Sequence, residues 1–137
     1  MSATDEFFER YRAAWNANDG DALTACFTDD CVYTDAALGK VCKGHGQLRD
    51  FLAETFQAFP DFRIESTTVV TGTDGDYALE WTMSGTQKGN MPNLPATGKS
   101  FSIRGATIIE LEHGKIRRCS DYWDLAAFIK QLGHNPG

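Results

Sequence analysis

The chain has 137 residues, of which 42% are hydrophobic and 23% charged, and these values are typical of one globular domain spanning residues 1–137. Its net charge of -6 argues against nucleic acid or an anionic membrane as a partner, because both bind basic surfaces. No apolar run follows Met1 and no stretch approaches the ~20 apolar residues of a membrane span, so we expect a cytoplasmic protein.

The cysteines and the short motifs indicate no cofactor chemistry. Cys26, Cys31, Cys42 and Cys119 lack the paired spacing of a metal site, and in a reducing compartment we expect free, buried thiols. The sequence contains no phosphate loop, dinucleotide fingerprint or nucleophile elbow. It therefore predicts neither a metal nor a cofactor.

Three amphipathic helices are predicted in the first half of the chain. The first covers TDEFFERYRAAWNAND, in which the apolar side chains follow the three-four spacing of a helix: Phe7, Tyr11, Ala14 and Trp15. The second covers GDALTACFTDD, and the third covers HGQLRDFLAETFQAFP, where Pro60 ends the helix. Between them, CVYTDA and LGKVCKG are predicted as short strands.

The second half of the chain changes to the period of two that is typical of strands. The predicted strands are DFRIESTTVVTG, YALEWTMSGT, FSIRGATIIEL and IRRCSDYW, and the loop QKGNMPNLPATGKS joins the second to the third. In the first of these strands, Ile64 and Val70 are expected on the same face. DLAAFIKQLG is predicted as a closing helix with Asp124 as its N-cap, followed by the frayed tail HNPG.

This order of elements predicts an α+β fold. We expect a curved antiparallel sheet that the N-terminal helices wrap into a cone with an internal pocket. The outward faces of the long strands carry Thr, Val and Ala beside charged residues, and such a half-apolar face commonly pairs with a second copy. We therefore expect a homodimer.

Three polar residues occupy strand positions where an apolar residue is expected. Thr107 lies among apolar residues of its strand, Asp35 ends the strand CVYTD, and Asp121 shares a face with Cys119 and Trp123. Thr107 can also be an ordinary strand threonine, and Asp35 a turn residue. Asp121 has no local structural role, and a buried carboxylate is costly unless its pKa shifts or it serves a function.

Three stretches carry a resemblance to a known family: RYRAAWNANDGDALTACFTDDCVYTD, NMPNLPATGKSFSIRGATIIELEHGKI and DYWDLAAFIKQLG. They span almost the whole chain and resemble the SnoaL-like polyketide cyclases, which share the fold of nuclear transport factor two. The resemblance implies that Asp121 is the catalytic acid and base, because the family's strand aspartate maps onto it. It also implies that Thr107 stands where the family has a pocket histidine.

The N-terminal half is also similar to the ketosteroid isomerases. Their helix tyrosine maps onto Tyr11 in RYRAAW, and their general-base aspartate maps onto Asp35 in TDDCVYTD. Their second aspartate maps onto Ala106 or a position near it, so their oxyanion pair is incomplete here. Limonene epoxide hydrolases need an Arg-x-Asp pair on the same strand, and the sequence RGA at 104–106 disfavours that activity.

Both resemblances imply cofactor-independent enolisation of a small hydrophobic carbonyl compound. Asp121 and Asp35 are expected to be catalytic, with aldol-type ring closure in a cyclase and a double-bond shift in an isomerase. The predicted substrate-binding residues are Tyr11, Trp15, Tyr33, Phe59, Trp81, Met83, Met91, Phe101, Ile103 and Thr107. A non-catalytic pocket protein that binds a small molecule is the alternative.

Overall fold

The computed structural model describes residues 2–73 and 75–134, so the last three residues of the predicted frayed tail HNPG lie outside the described part. Its first residue, His134, is held in place instead of frayed, since its backbone N–H donates to the carbonyl of Ile129 at 3.0 Å. The elements are α1 (Ala3–Asn16), α2 (Gly20–Thr24), β1 (Phe27–Asp35), β2 (Lys40–Lys43), α3 (Gly44–Ala58), β3 (Arg63–Thr71), β4 (Asp76–Thr86), β5 (Ser100–Glu112), β6 (Lys115–Trp123) and α4 (Leu125–Gln131). The predicted α+β fold class is confirmed.

The second predicted helix is wrong in its C-terminal part. α2 ends at Thr24, and the residues from Phe27 onward belong to β1 instead of the helix. Phe27 pairs with Ile116 of β6, and its side chain is almost fully buried. Pairing with a strand almost ninety residues away decides this boundary, and local spacing does not report such pairing.

The sheet has six strands in the order β2-β1-β6-β5-β4-β3, and it is curved and not closed. Four of the five neighbouring pairs are antiparallel, as predicted. The pair β1–β6 is parallel, so the sheet is mixed and not purely antiparallel. β1 and β6 come from opposite ends of the chain. Their pairing places the first strand of the chain beside the last one.

A bulge in β3 changes which side chains face inward. The pairing with β4 shifts between Ser66 and Thr68. Beyond that shift, Val70 pairs with Ala78 and is 57% exposed, whereas Ile64 is buried. The expectation that Ile64 and Val70 share a face is therefore wrong, because one extra residue reverses the alternation of a strand.

The helices cover the inner face of the sheet. α1 packs against β3, α3 packs against β1 and β2, and α4 packs against β5. Asp124 caps α4 as predicted, since its carboxylate accepts the backbone N–H of Ala127 at 3.0 Å. The four cysteines are free and buried. This arrangement leaves the inner face of the sheet lined by the helices and by the loop that follows β4.

Candidate functional site

A cavity of about 660 Å³ lies between the inner face of the sheet and the helices. Its wall is mainly aromatic and aliphatic, and side chains from helices, strands and the loop after β4 contribute to it. A volume of this size accommodates a drug-sized ligand, and pockets of this kind use a few polar groups to orient what they bind. The polar groups on the strands are therefore the informative part of the lining.

The strand register places the polar residues of the cavity in one line. Thr107 of β5 pairs with Asp121 of β6, Asp121 pairs with Asp35 of β1, and Asp35 pairs with Lys40 of β2. On the other side, Thr107 pairs with Leu79 of β4. Thr107, Asp121, Asp35 and Lys40 all line the cavity. The sheet thus brings together two carboxylates that are far apart in the sequence.

Asp121 lies at the centre of this row and is 7% exposed. The Thr107 hydroxyl donates to its Oδ1 atom at 2.6 Å. The Tyr33 hydroxyl donates to its Oδ2 atom, and Tyr33 itself is almost fully buried. Each carboxylate oxygen can accept two hydrogen bonds, so Asp121 keeps accepting capacity for a ligand in the cavity.

The surroundings of Asp121 raise the pKa of its carboxyl group toward neutral pH. Burial raises the pKa of Asp121 from its usual 3.8 to about 6, and the negative charge of Asp35 adds to the rise. The hydrogen bonds from Thr107 and Tyr33 oppose this rise, because they stabilise the ionised form. A carboxylate with a pKa near 6 is mostly ionised at pH 7 and still binds a proton readily.

Asp35 is the second carboxylate of the cavity, and it is 5% exposed. Its Oδ1 accepts the backbone N–H of Leu38 at 3.0 Å, and its Oδ2 accepts the indole N–H of Trp123 at 3.1 Å. Burial raises the pKa of Asp35, and these two hydrogen bonds oppose the rise. Asp35 therefore both shapes the turn after β1 and presents a carboxylate to the cavity.

Two tyrosines from different elements line the cavity near Asp121. Burial raises the pKa of Tyr33, with the charge of Asp121 as the next cause. Burial likewise raises the pKa of Tyr11, with charges at Cys119 and Asp121 adding to the rise. Among the described residues, the Tyr11 hydroxyl makes no hydrogen bond to Asp121. Both phenols are therefore neutral at physiological pH.

Most of the predicted substrate-binding residues line the cavity. Those that do are Tyr11, Trp15, Tyr33, Phe59, Trp81, Met83, Met91, Phe101 and Thr107. Ile103 is not among the residues that line the cavity, and its role in substrate binding stays a prediction. It pairs with Met83 and is 5% exposed, so it lies on the inner face of the sheet but packs within the core. Alternation along a strand predicts the inner face, but it does not separate cavity from core.

Sequence reasoning missed Trp123 and Phe128 as lining residues. Trp123 donates its indole N–H to Asp35, and its ring contacts the ring of Phe128 with 5.0 Å between centroids. A signal for Trp123 was present, because it shares the alternation of Asp121 on β6. No comparable signal exists for Phe128, since its place depends on how α4 returns onto the sheet.

The described residues form neither a metal-binding cluster nor a membrane-spanning helix. Within residues 2–73 and 75–134, no group of three or more His, Cys, Asp or Glu side chains is arranged to hold a metal ion. Within the same residues, no helix is both long enough and apolar enough to cross a membrane.

The fold and the cavity define a protein of the class that shares the nuclear transport factor two and ketosteroid isomerase architecture. The family model of the SnoaL-like polyketide cyclases matches residues 6–132. The chain therefore belongs to the SnoaL-like polyketide cyclase family. No curated protein matches the chain.

Solved structures agree with this assignment of fold. A provisionally assigned polyketide cyclase from Pseudomonas putida KT2440 is 26% identical, with a TM-score of 0.81 and coverage of 97% of this chain and 99% of that chain. TsrD from Streptomyces laurentii is 25% identical, with a TM-score of 0.84 and coverage of 97% and 96%. A hypothetical protein from Catenulispora acidiphila DSM 44928, with a ketosteroid isomerase-like fold and bound trimethylamine, is 24% identical, with a TM-score of 0.84 and coverage of 95% and 94%.

Proposed function

We propose that the protein is a cofactor-independent enzyme that enolises a polyketide-like or other small carbonyl compound and closes a ring by an aldol-type reaction, with Asp121 as acid and base. The observation that carries this proposal is the state of Asp121. Its carboxylate is buried at the cavity, has a pKa of about 6, and is oriented by the hydroxyls of Tyr33 and Thr107. These are the properties required of a general base that acts near neutral pH.

The proposed reaction needs one proton carrier. The ionised Asp121 removes a proton from the carbon next to a substrate carbonyl, which breaks the C–H bond and forms an enolate. The enolate carbon then bonds to a second carbonyl of the same substrate and closes the ring. Asp121 returns its proton to the new alkoxide oxygen, so atoms and charge balance without an oxidant or reductant.

The composition of the cavity wall favours a substrate that is apolar and can close into a ring. Trp15, Phe59, Trp81 and Phe101 present aromatic surface to the cavity, whereas Asp121 and Asp35 are the carboxylates on its strands. Aromatic side chains contribute large contact areas with few rotatable bonds, so they can hold a flexible chain in a compact conformation. Such folding of the substrate brings its reacting carbons together before the bond forms.

A substrate panel tests the proposal. Aromatic polyketide esters and a Δ5-ketosteroid are incubated with the wild type, Asp121→Asn and Asp35→Asn, and products are identified by mass spectrometry and NMR. We expect cyclised product from a polyketide ester, and its loss in Asp121→Asn. If Asp121→Asn retains full turnover on an identified substrate, the assignment of Asp121 as acid and base is wrong. Binding of these compounds without turnover would support the non-catalytic pocket protein.

A double-bond isomerase is the second candidate, and Asp35 is the observation that favours it. Asp35 lines the same cavity, is buried, and has a raised pKa. An isomerase would use Asp35 to move a proton between two carbons, with the Tyr11 hydroxyl stabilising the enolate oxygen. On the Δ5-ketosteroid, loss of turnover in Asp35→Asn with retention in Asp121→Asn would favour this function over ring closure.

The same proposal includes a cytoplasmic homodimer. The outward face of the sheet exposes Val70, Ile108 and Tyr122, with exposed fractions of 57%, 48% and 51%. Val70 and Ile108 belong to one row, because both pair with Ala78 of β4. Size-exclusion chromatography with light scattering should give twice the monomer mass of 15.1 kDa, and Ile108→Glu should give the monomer. A monomeric wild type at micromolar concentration would contradict this part of the proposal.

A further inference from the structure

Trp81 is connected to Asp121 through the hydroxyl of Thr107. The indole Nε1–H of Trp81 donates to the Thr107 Oγ1 atom at 2.6 Å, and Thr107 donates to Asp121 Oδ1 at 2.6 Å. All three side chains are buried. An indole N–H can only donate, and a threonine hydroxyl carries a single proton. Because Trp81 occupies an accepting position of the hydroxyl, the one proton of Thr107 is left to donate to Asp121.

Gly105 provides the space in which the Trp81 ring lies. Trp81 and Gly105 are register partners on β4 and β5, and Thr107 is the next inward-facing residue along β5. A Cβ atom on residue 105 would lie 2.6 Å from Cζ3 and 2.9 Å from Cζ2 of the Trp81 ring. Gly105 is not among the glycines with positive φ, so the backbone does not require glycine there. The close approach of the ring does require it.

We propose that Trp81 is a positioning residue, which lies against Gly105 and directs the proton of the Thr107 hydroxyl to the Asp121 carboxylate. This inference rests on the proposed function for the role of Asp121, but the hydrogen-bond chain itself does not depend on the substrate. It assigns to Trp81 a task beyond that of an apolar wall. It also explains how a threonine orients Asp121 reliably, since a free hydroxyl can rotate among three staggered positions.

A double-mutant cycle separates positioning from packing. The pKa of Asp121 is measured by NMR titration of protein labelled with ¹³C at aspartate carboxyl groups, and Asp121→Asn identifies the resonance. Thr107→Val removes a hydrogen bond to the carboxylate and should raise the pKa of Asp121 by about one pH unit. Trp81→Phe should raise this pKa by up to about half a unit. This is the shift expected if the Thr107 hydroxyl can occupy three staggered positions in place of the one that donates to Asp121.

The coupling between Trp81→Phe and Thr107→Val in their effects on the pKa of Asp121 shows whether Trp81 acts through Thr107. If Trp81 acts through Thr107, adding Trp81→Phe to Thr107→Val should leave the pKa of Asp121 unchanged. An equal shift in both backgrounds, or no shift in either, would overturn the inference. Replacing Trp81 by β-(3-benzothienyl)alanine, which keeps the ring shape but lacks the N–H, should reproduce the shift seen with Trp81→Phe. Failure to reproduce it would mean that lost packing caused that shift.

Gly105→Ala tests the place of the ring independently. The added methyl group should displace Trp81, raise the pKa of Asp121 and lower the midpoint of thermal unfolding. Adding Trp81→Phe should recover part of that lost midpoint, because the smaller ring relieves the contact. No recovery would contradict the close approach described for Gly105. These readouts are independent of turnover, so a protein that lacks the proposed cyclase activity can still confirm or refute the positioning role.

Discussion

Two aspartates near the C-terminus, Asp121 and Asp124, show how surroundings assign different roles to one side chain. Asp121 lies inside β6, is buried, and accepts hydrogen bonds from the hydroxyls of Tyr33 and Thr107. Asp124 is exposed and accepts the backbone N–H of Ala127 at the start of α4. Only three positions separate them. The buried carboxylate is costly and therefore points to function, whereas the exposed one stabilises a helix.

The largest expected difference between the two aspartates is in turnover. Asp121→Asn should lower kcat of the proposed reaction by roughly 10²–10⁴-fold, which is the usual contribution of a general acid and base. Asp124→Asn keeps a side-chain acceptor at the N-cap and should leave kcat within a few-fold of the wild type. Steady-state rates on a substrate found by the panel check both values. Comparable losses in the two variants would contradict the functional separation of these residues.

The next difference is in how stability depends on pH. The pKa of Asp121 is about 6 in the folded protein, against 3.8 for an ordinary aspartate. Between these values, Asp121 binds a proton more tightly in the folded state than in the unfolded state. The stability that this proton contributes is fully present below about pH 4 and is lost as the pH rises through 6. Relative to Asp121→Asn, the wild type should therefore lose roughly 2.4 kcal/mol of unfolding free energy between pH 4 and pH 7.

Urea unfolding of both proteins across this pH range measures the difference, since groups unaffected by the substitution cancel. Asp124→Asn serves as the matched control and should follow the wild type at every pH. A wild type that gains stability relative to Asp121→Asn over this range would show that the pKa of Asp121 is lowered in the folded protein.

A smaller effect is expected from the cap of α4. Asp124→Ala removes the acceptor for Ala127 N–H and should lower the free energy of unfolding by about 1 kcal/mol. Asp124→Ser retains an acceptor and should cost only a few tenths of a kcal/mol. Thermal unfolding of the two variants checks the difference. Equal stability of the alanine and serine variants would mean that the capping bond contributes nothing measurable.

The smallest effect is expected from the coupling of the two carboxylates. The charge of Asp35 contributes to the raised pKa of Asp121. Asp35→Asn removes that charge and should lower the pKa of Asp121 by a fraction of a pH unit, as measured by the NMR titration. Glu80→Gln, which changes a charge on the outward face of β4, should leave it unchanged. An upward shift in Asp35→Asn would contradict the direction of the coupling.

Much of the fold could be predicted from the sequence because its patterns are local. The three-four spacing in α1 and the alternation along β5 are set by each segment burying one face. The limits of α2, the parallel pairing of β1 with β6 and the bulge in β3 depend on partners distant in the sequence. The local spacing of apolar residues does not predict these long-range contacts.

Part of the candidate site could likewise be predicted from the sequence. Alternation placed Asp121 and Thr107 on one face, and the structure pairs them directly. It could not show that Trp81 would donate to Thr107 or Trp123 to Asp35, because these bonds cross between strands diagonally. Ile103 has the same alternation as its neighbours, but it lies in the core and not at the cavity.

Solvent deuterium exchange tests the central claim, that Asp121 removes a carbon-bound proton in the cavity, most directly. A carbonyl compound shown by NMR to bind the protein is incubated in D₂O, and deuterium at its α-carbon is followed by mass spectrometry. The wild type should exchange this position with an apparent pKa near 6, and Asp121→Asn should bind the compound but not exchange it. Exchange by Asp121→Asn at the wild-type rate would contradict the account.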